Sequence, residues 1–422
     1  MNRIIYSLFF LSIFFSAKAT SIIIPMDTEQ KNHLKAYGIA YWVLQHEVEV
    51  HWLLNYRGGS FMIKNAKEIE SECRIRGVTF EVIPDSKAAA ILAEIANPEV
   101  NMEDVKLEKA PKVAVYSPKT KQPWDDAVTL VLQYAEIKYE VIYDEEILQG
   151  KLPLYDWLHL HHEDFTGQYG KFWSSYRNAA WYQEAQRVQE ESAKSFGFTK
   201  VSQMKLAVAQ RIRDFTAGGG FLFAMCSAPD SYDIALSAEG IDICESMFDG
   251  DGTTPNYNSK LDFSKTFAFT NFTLNTNPAE YSKSNIDTYL VRRQKYGVTK
   301  ENDFFTLFEF SAKWDIVPTM LCQNHEQILK GFWGQTVGFN KDFIKPNILI
   351  MGENKAANEA RYIHGTYGKG MFTFYSGHDP EDYEHRVEDP PTDLSLHANS
   401  PGYRLILNNI LFPAAKKKKQ KT

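Results

Sequence analysis

Cysteine is scarce in this sequence: four in 422 residues, at Cys73, Cys226, Cys244 and Cys322. No pair of them has zinc-ligand spacing, and four in a chain this long are too few for a disulfide scaffold. No apolar run beyond the first nineteen residues is long enough for a membrane span, and none of the sequence repeats internally. Positive charge is also in short supply. The formal charge is −7, and it becomes −9 when Arg3 and Lys18 are removed with residues 1–19. Setting aside Lys416, Lys417, Lys418, Lys419 and Lys421 at the end leaves a body at −14. Such a body repels a phosphate backbone, which excludes nucleic acid as the main partner. The lysine tail leaves room for a weak contact with an anionic envelope surface.

What is abundant is aromatic: 22 Tyr, 28 Phe and 8 Trp, 14% of the chain. With 44% hydrophobic residues, this is the composition of a chain that buries a large core rich in strands. The N-terminus reads as an export signal. Arg3 precedes an apolar stretch, Ile4 to Phe15, and Ala17-Lys18-Ala19 places cleavage after Ala19. No cysteine follows that point to carry a lipid. The expected location is periplasmic or extracellular.

Periodicity divides the rest. Residues 20–105 read as an N-terminal α/β extension: a helix over Leu34–Leu44, a strand over Val48–Leu54, a loop at 55–60, a helix over Ala66–Arg76 and a strand over Val78–Ile83. A polar stretch near 97–111 reads as a linker. From 106 to 412 strand and helix alternate: Val113–Tyr116, a helix near Asp125–Ile137, Tyr139–Tyr143, then a strand at Trp157–His161. Residues 172–197 read as a helical insertion. Met204, Val208, Ile212 and Phe215 mark one helix face, and Phe221–Met225 is a short buried strand followed by a turn and a helix over Tyr232–Met247. Residues 255–345 read as strand-rich. Asn347–Met351, Ala360–His364 and Met371–Ser376 close the series, with a turn at 367–370. The expected fold is α/β, with a mainly parallel sheet covered on both faces and the site at the carboxyl ends of its strands.

Three clusters carry candidate chemistry. Cys226 follows a buried strand directly, with Ala224 and Ala228 two residues to either side. That is the requirement of a nucleophile elbow, where neighbours must be small and the helix start lowers the thiol pKa. The Ser227 N–H would then face an oxyanion. His378 follows the strand Met371–Ser376 and is the matching base, with Asp379 or Glu381 as the carboxylate that orients it. The third cluster, His159, His161, His162, Glu163 and Asp164, ends another strand. It reads as a binding loop, with Thr166-Gly167 as a second oxyanion donor, or as a metal site using His159, His161 and Glu163. Trp157, Trp173 and Trp181 are candidates for lining a carbohydrate or peptide groove. Asp249-Gly250-Asp251-Gly252-Thr253 hints at a calcium loop, but the twelfth position is Lys260 and the stretch reads as a polar turn. Asn271-Phe272-Thr273 is a glycosylation sequon.

The run Gly218-Gly219-Gly220-Phe221-Leu222-Phe223-Ala224-Met225-Cys226-Ser227-Ala228, taken with Gly368-Lys369-Gly370 through Tyr375-Ser376-Gly377-His378-Asp379-Pro380-Glu381, resembles the class I glutamine amidotransferase-like superfamily. The resemblance covers roughly residues 110–385. It implies a flavodoxin-like sheet with Cys226 as nucleophile and His378 as base, and glutamine as the family's substrate. Alanines stand here where the family elbow has glycines, and Glu381 lies three residues after the histidine rather than two. The whole chain, including Trp52 to Phe61 and the Leu411 to Ala415 stretch, also resembles exported bacterial proteins often labelled asparagine synthetase B. The chemistry of that label needs an N-terminal cysteine and a Ser-Gly-Gly-x-Asp-Ser phosphate loop. No cysteine precedes Cys73, and Arg57-Gly58-Gly59-Ser60-Phe61 lacks the Ser and the Asp. The expected function is therefore an exported Cys-His amide hydrolase or amidotransferase-like enzyme, acting on a small-molecule or peptide amide without a cofactor. The alternatives are a non-catalytic envelope binding protein and a metal-dependent hydrolase.

Overall fold

A computed structural model describes residues 20–118, 125–275 and 277–415. The export signal and the lysine tail lie outside the described residues.

Two sheets organise the chain. The first holds β1 (Thr20–Ile24), β2 (Val50–Leu54), β3 (Ser60–Lys64), β4 (Glu81–Pro84) and β5 (Glu103–Leu107), in the order β4-β1-β3-β2-β5. Every pairing in it is antiparallel. The loop at 55–60 is a tight hairpin connection: Asn55, Arg57, Gly58 and Gly59 all have positive φ, which returns the chain at once into β3. The stretch near 97–111 is not a linker, because β5 lies in it and pairs along the length of β2.

The second sheet holds β6 (Val113–Tyr116), β7 (Glu140–Ile142), β8 (Trp157–Leu160), β9 (Phe221–Met225), β10 (Phe304–Leu307), β11 (Ile328–Lys330), β12 (Phe339–Asn340), β13 (Leu349–Asn354), β14 (Glu359–Tyr367) and β15 (Gly370–Tyr375). Its order is β11-β10-β13-β14-β15-β9-β8-β6-β7, with β12 on β14. β7, β6, β8, β9 and β15, neighbours in that order, are mutually parallel. Beyond β15 the sheet turns antiparallel. The fold is thus α/β with a mixed sheet, where a mainly parallel one was expected. The antiparallel half arises because β14 and β15 are joined by a tight turn, and a hairpin reverses direction. That turn needs glycine: a Cβ on Gly370 would sit 2.1 Å from the Thr216 carbonyl oxygen and 2.3 Å from that of Gly220.

Alternation along the parallel strands explains burial on both faces. Val113, Val115, Trp157, Phe223 and Met225 face one core, while Ala114, Leu158, Leu222 and Ala224 face the other. The helix Val201–Gly218 covers the second face through Val208, Ala209 and Ile212. The first face packs on the helices Ala127–Tyr134 and Pro401–Leu411, and the same core continues through Trp52 and Phe61 of the small sheet. Trp157 is part of that core, so it does not line a groove.

Elsewhere the elements differ in extent from their sequence reading. The insertion is a turn at Trp173–Tyr176 and a helix at Ala180–Ser195. The helix after Cys226 starts at Ala228 and stops at Ser237. Among the described residues of 255–345 the strands are the short β10, β11 and β12, with helices at Tyr289–Tyr296 and Ile316–Leu321. No helix among the described residues is long and apolar enough to cross a membrane.

Candidate functional site

β9 lies between β8 and β15, so the residues just past these three carboxyl ends meet. Cys226 follows β9 in the left-handed region, at φ +55. A side chain there costs about 1–2 kcal/mol over ordinary backbone, so the surroundings must hold it. They do so through hydrogen bonds. The Cys226 N–H donates to the Gly377 carbonyl at 3.0 Å, and the Ala228 N–H donates to the His161 carbonyl at 2.9 Å. The Ser227 hydroxyl donates to the His162 carbonyl at 3.0 Å, and Ser231 to that of Glu163 at 2.9 Å.

The Cys226 sulfur is buried, yet it lines a cavity of about 550 Å³ together with His378, His385, Asp287, Trp333 and Gln335. The Gln335 N–H donates to the sulfur at 3.3 Å. Burial pushes the thiol up to about 11, against the opposing pull of the Gln335 and Ser227 N–H groups and the Lys283 ammonium. The helix start therefore does not yield a preformed thiolate, because desolvation of the charged sulfur outweighs it.

His378 is buried as well, and its backbone is clamped by the loop 332–337. Its N–H donates to the Trp333 carbonyl at 2.7 Å, and the Gly377 N–H to that of Thr336 at 3.0 Å. Its ring is stacked between His161, at 4.4 Å between centroids, and His385, at 5.0 Å. Burial, then the neighbouring His161, His162 and His385, hold the imidazole well below its ordinary range, so it is neutral. The two candidate orienting carboxylates lead elsewhere. Asp379 accepts from Thr392 at 2.7 Å and from the Glu381 N–H at 2.9 Å, and Glu381 pairs with His397 at 3.0 Å.

The carboxylates that do reach the ring stack are Asp125, Asp126 and Asp382. Asp126 sits 3.2 Å from His159 Nε2 and 3.2 Å from His161 Nδ1. It also caps the helix Ala127–Tyr134 by accepting from the Val128 and Thr129 N–H groups. His385 bonds Asp125 and Asp382 at 2.9 Å each. Burial lowers the His385 pKa, but these two carboxylates outweigh it and raise it to about 9. The sequence reading picked out Asp126 only for its charge at a helix start. It missed His385, whose signal is its place seven residues after His378, and it missed Gln335 altogether.

The loop after β8 divides its side chains. His161 and His162 turn toward His378, with ring contacts at 4.4 and 5.7 Å. Glu163 accepts from the Tyr143 hydroxyl at 3.1 Å, beside Lys205, which bonds Tyr116, Tyr143 and Asp144. Burial raises Glu163 to about 7. Asp164 gathers the Thr166 and Gly170 N–H groups, and Gly167 backs onto Ser202 of the helix Val201–Gly218. The N–H groups that reach the sulfur are those of Gln335, Ser227 and Thr336, and Gly167, expected as the second oxyanion donor, lies against the helix Val201–Gly218. Trp181 and Tyr182 of the insertion line a second hollow of about 320 Å³, next to His162, Glu163 and Tyr143. Trp173 packs under the Arg177 guanidinium at 5.0 Å. The acids of the calcium-like turn, Asp249 and Asp251, hold Lys200 together with Asp242. The four cysteines are not bonded to one another.

Comparison with protein-family models and with curated proteins finds no match. Among solved structures, a cytoplasmic protein from Salmonella typhimurium is similar at 9% identity and a TM-score of 0.34, over 75% of this chain and 91% of that one. A second cytoplasmic protein, from Salmonella typhimurium LT2, is similar at 11% identity and a TM-score of 0.33, over 72% of this chain and 100% of that one. A GH42 beta-galactosidase from G. stearothermophilus is similar at 11% identity and a TM-score of 0.28, over 65% of this chain and 28% of that one.

Proposed function

We propose that this chain is an exported, thiol-dependent amide hydrolase of the glutamine amidotransferase-like kind, acting on a small-molecule or peptide amide. The observation that carries the reading is the backbone of Cys226: a non-glycine residue at φ +55 on a strand-to-helix corner, lining one cavity with His378. Strain of that sort is kept where it aims a side chain. The order of the parallel strands, β7-β6-β8-β9-β15, is second-first-third-fourth-fifth in chain order, which is the flavodoxin-like order and supports that finer fold reading.

The chemistry follows from two neutral partners. The His378 imidazole takes the thiol proton as sulfur attacks the amide carbonyl, so no thiolate has to exist beforehand. The Ser227 and Gln335 N–H groups, which point at the sulfur, are the donors assigned to the oxyanion in this reading. Collapse breaks the C–N bond, and the amine leaves with the proton from His378. Water then attacks the thioester with His378 as base, releasing the acid and restoring the thiol.

The second reading, a binding protein on the same fold, is favoured by the aromatic hollow at Trp181, Tyr182 and Phe172. Acylation by p-nitrophenyl acetate, followed by intact mass and peptide mapping, separates the two. The thiol reading expects an acetyl adduct on Cys226, absent in Cys226→Ala and formed about 100-fold more slowly in His378→Ala. Equal adduct on all four cysteines, or none on Cys226, rejects it in favour of binding.

A further inference from the structure

We infer that His161, His162 and His378 form a site for a divalent first-row transition metal, with zinc the natural occupant. The chain has 11 histidines. Five of them form one continuous chain of ring contacts: His159 to His161, His161 to His162 and His378, and His378 to His385. Within it, one nitrogen from each of His161, His162 and His378 lies within 4.8 Å of the other two, and all three residues are buried.

Neutral imidazole is the form that binds metal, and three of them leave a fourth position open. A set of nitrogens alone suits zinc, copper, nickel or iron, and disfavours magnesium and calcium.

The surroundings are those of a ligand rather than of a packed core. His161 Nδ1 lies 3.2 Å from the Asp126 carboxylate, and both of its ring nitrogens are buried without a geometrically satisfied hydrogen bond. A carboxylate close behind the ring nitrogen that faces away from the metal is how metal-bound histidines are oriented. Asp126 is itself fixed by its capping bonds to Val128 and Thr129. The neighbouring charge on His385 is matched by Asp125 and Asp382. There are also ways in: His378 lines the larger cavity and His162 the aromatic hollow.

The site stands on these three rings whether or not Cys226 is a nucleophile. Its consequence rests on the proposed function: an occupied site takes the His378 nitrogen out of proton transfer, and metal then restrains the thiol chemistry.

The test is equilibrium dialysis of the full chain against cobalt(II), read by bound equivalents and by the visible spectrum of the bound ion. One equivalent is expected, lost in His161→Ala and in His162→Ala, and kept in Cys226→Ala. Asp126→Asn keeps the helix cap and should weaken binding about 10–100-fold. No stoichiometric cobalt, or full affinity in His161→Ala, overturns the site. Loss of cobalt in Cys226→Ala would put sulfur in the ligand set and overturn it too. Should the histidine variants not fold, an unchanged affinity in folded Asp126→Asn overturns it. Loaded protein should acylate with p-nitrophenyl acetate at least about tenfold more slowly, and an unchanged rate removes the link to His378. Absent acylation in metal-free protein would reject the proposed function and leave the cobalt result untouched.

Discussion

The imidazole of His378 lies against that of His161, with centroids 4.4 Å apart and planes 23° from parallel. The two residues follow the strands that flank β9, so their rings meet beside the end of the strand that presents Cys226. Strand order brings the two chain segments together, and the loop 332–337 holds His378 in place through the Trp333 and Thr336 carbonyls.

The first prediction concerns the thiol. Burial raises Cys226 to about 11, so at neutral pH it is protonated and only a small fraction is thiolate. Alkylation by iodoacetamide in metal-free protein should therefore speed up about tenfold per pH unit from 7 to 9. A rate that levels off below pH 8 would show a thiol of low pKa instead.

Backbone strain at the same residue gives the second. Cys226→Gly removes the sulfur and relieves the left-handed conformation, whereas Cys226→Ala removes the sulfur and keeps the strain. The glycine variant should be about 1 kcal/mol more stable than the alanine variant in urea. Both should lose acylation. Equal stability would mean that the corner is not held in that conformation in solution.

Arg404 ties the C-terminal helix to the small sheet. It is fully buried and donates to the Met26 carbonyl at 2.9 Å, to the Tyr37 hydroxyl at 3.1 Å and to the Gly58 carbonyl. Arg404→Ala leaves the Gly58 carbonyl and the Tyr37 hydroxyl without this donor, the Met26 carbonyl keeping only His33, and should cost about 3 kcal/mol or more by urea denaturation. A loss under 1 kcal/mol would show that water replaces the guanidinium freely.

The antiparallel half of the large sheet carries a buried ion-pair network. Arg361 bonds Asp303 at 2.9 and 3.0 Å, and Arg292 bonds Asp303 at 2.7 Å and Glu359 at 2.9 Å. Burial raises the Asp303 carboxyl, but the two guanidinium groups outweigh it and hold it below the usual range. A depressed carboxyl stabilises the fold above its unfolded value, near 4, and that contribution is lost as the pH falls through its folded value. Wild-type stability should therefore decline below about pH 4. Asp303→Asn should lose about 3–5 kcal/mol at pH 7 and show a shallower acid slope. An identical slope in both proteins would exclude Asp303 as a source.

Much of the local structure was legible. The strand Phe221–Met225 was read at its observed limits, because an apolar run between a triple glycine and small residues can only be a short buried strand. Val113–Tyr116 and the turn before Gly370 were read for similar reasons. The small residues Ala224 and Ala228 pointed to the corner, and the structure puts Cys226 there with positive φ. The loop at 55–60 was read, but the strand β3 it leads into and the edge strand β5 were not, since a charged edge strand shares the polar composition of a loop.

What the sequence determined by itself is local: which segments become helix or strand, and which side chains each presents to a core. Periodicity carries that information, because side-chain direction repeats along a single element. Only the tertiary structure decided that Asp126 stands behind His159 and His161, that Gln335 reaches the Cys226 sulfur, and that His385 closes the ring stack. Those meetings depend on strand order and on loops folding over strand ends. A register shift of one residue would undo them while leaving every local pattern intact.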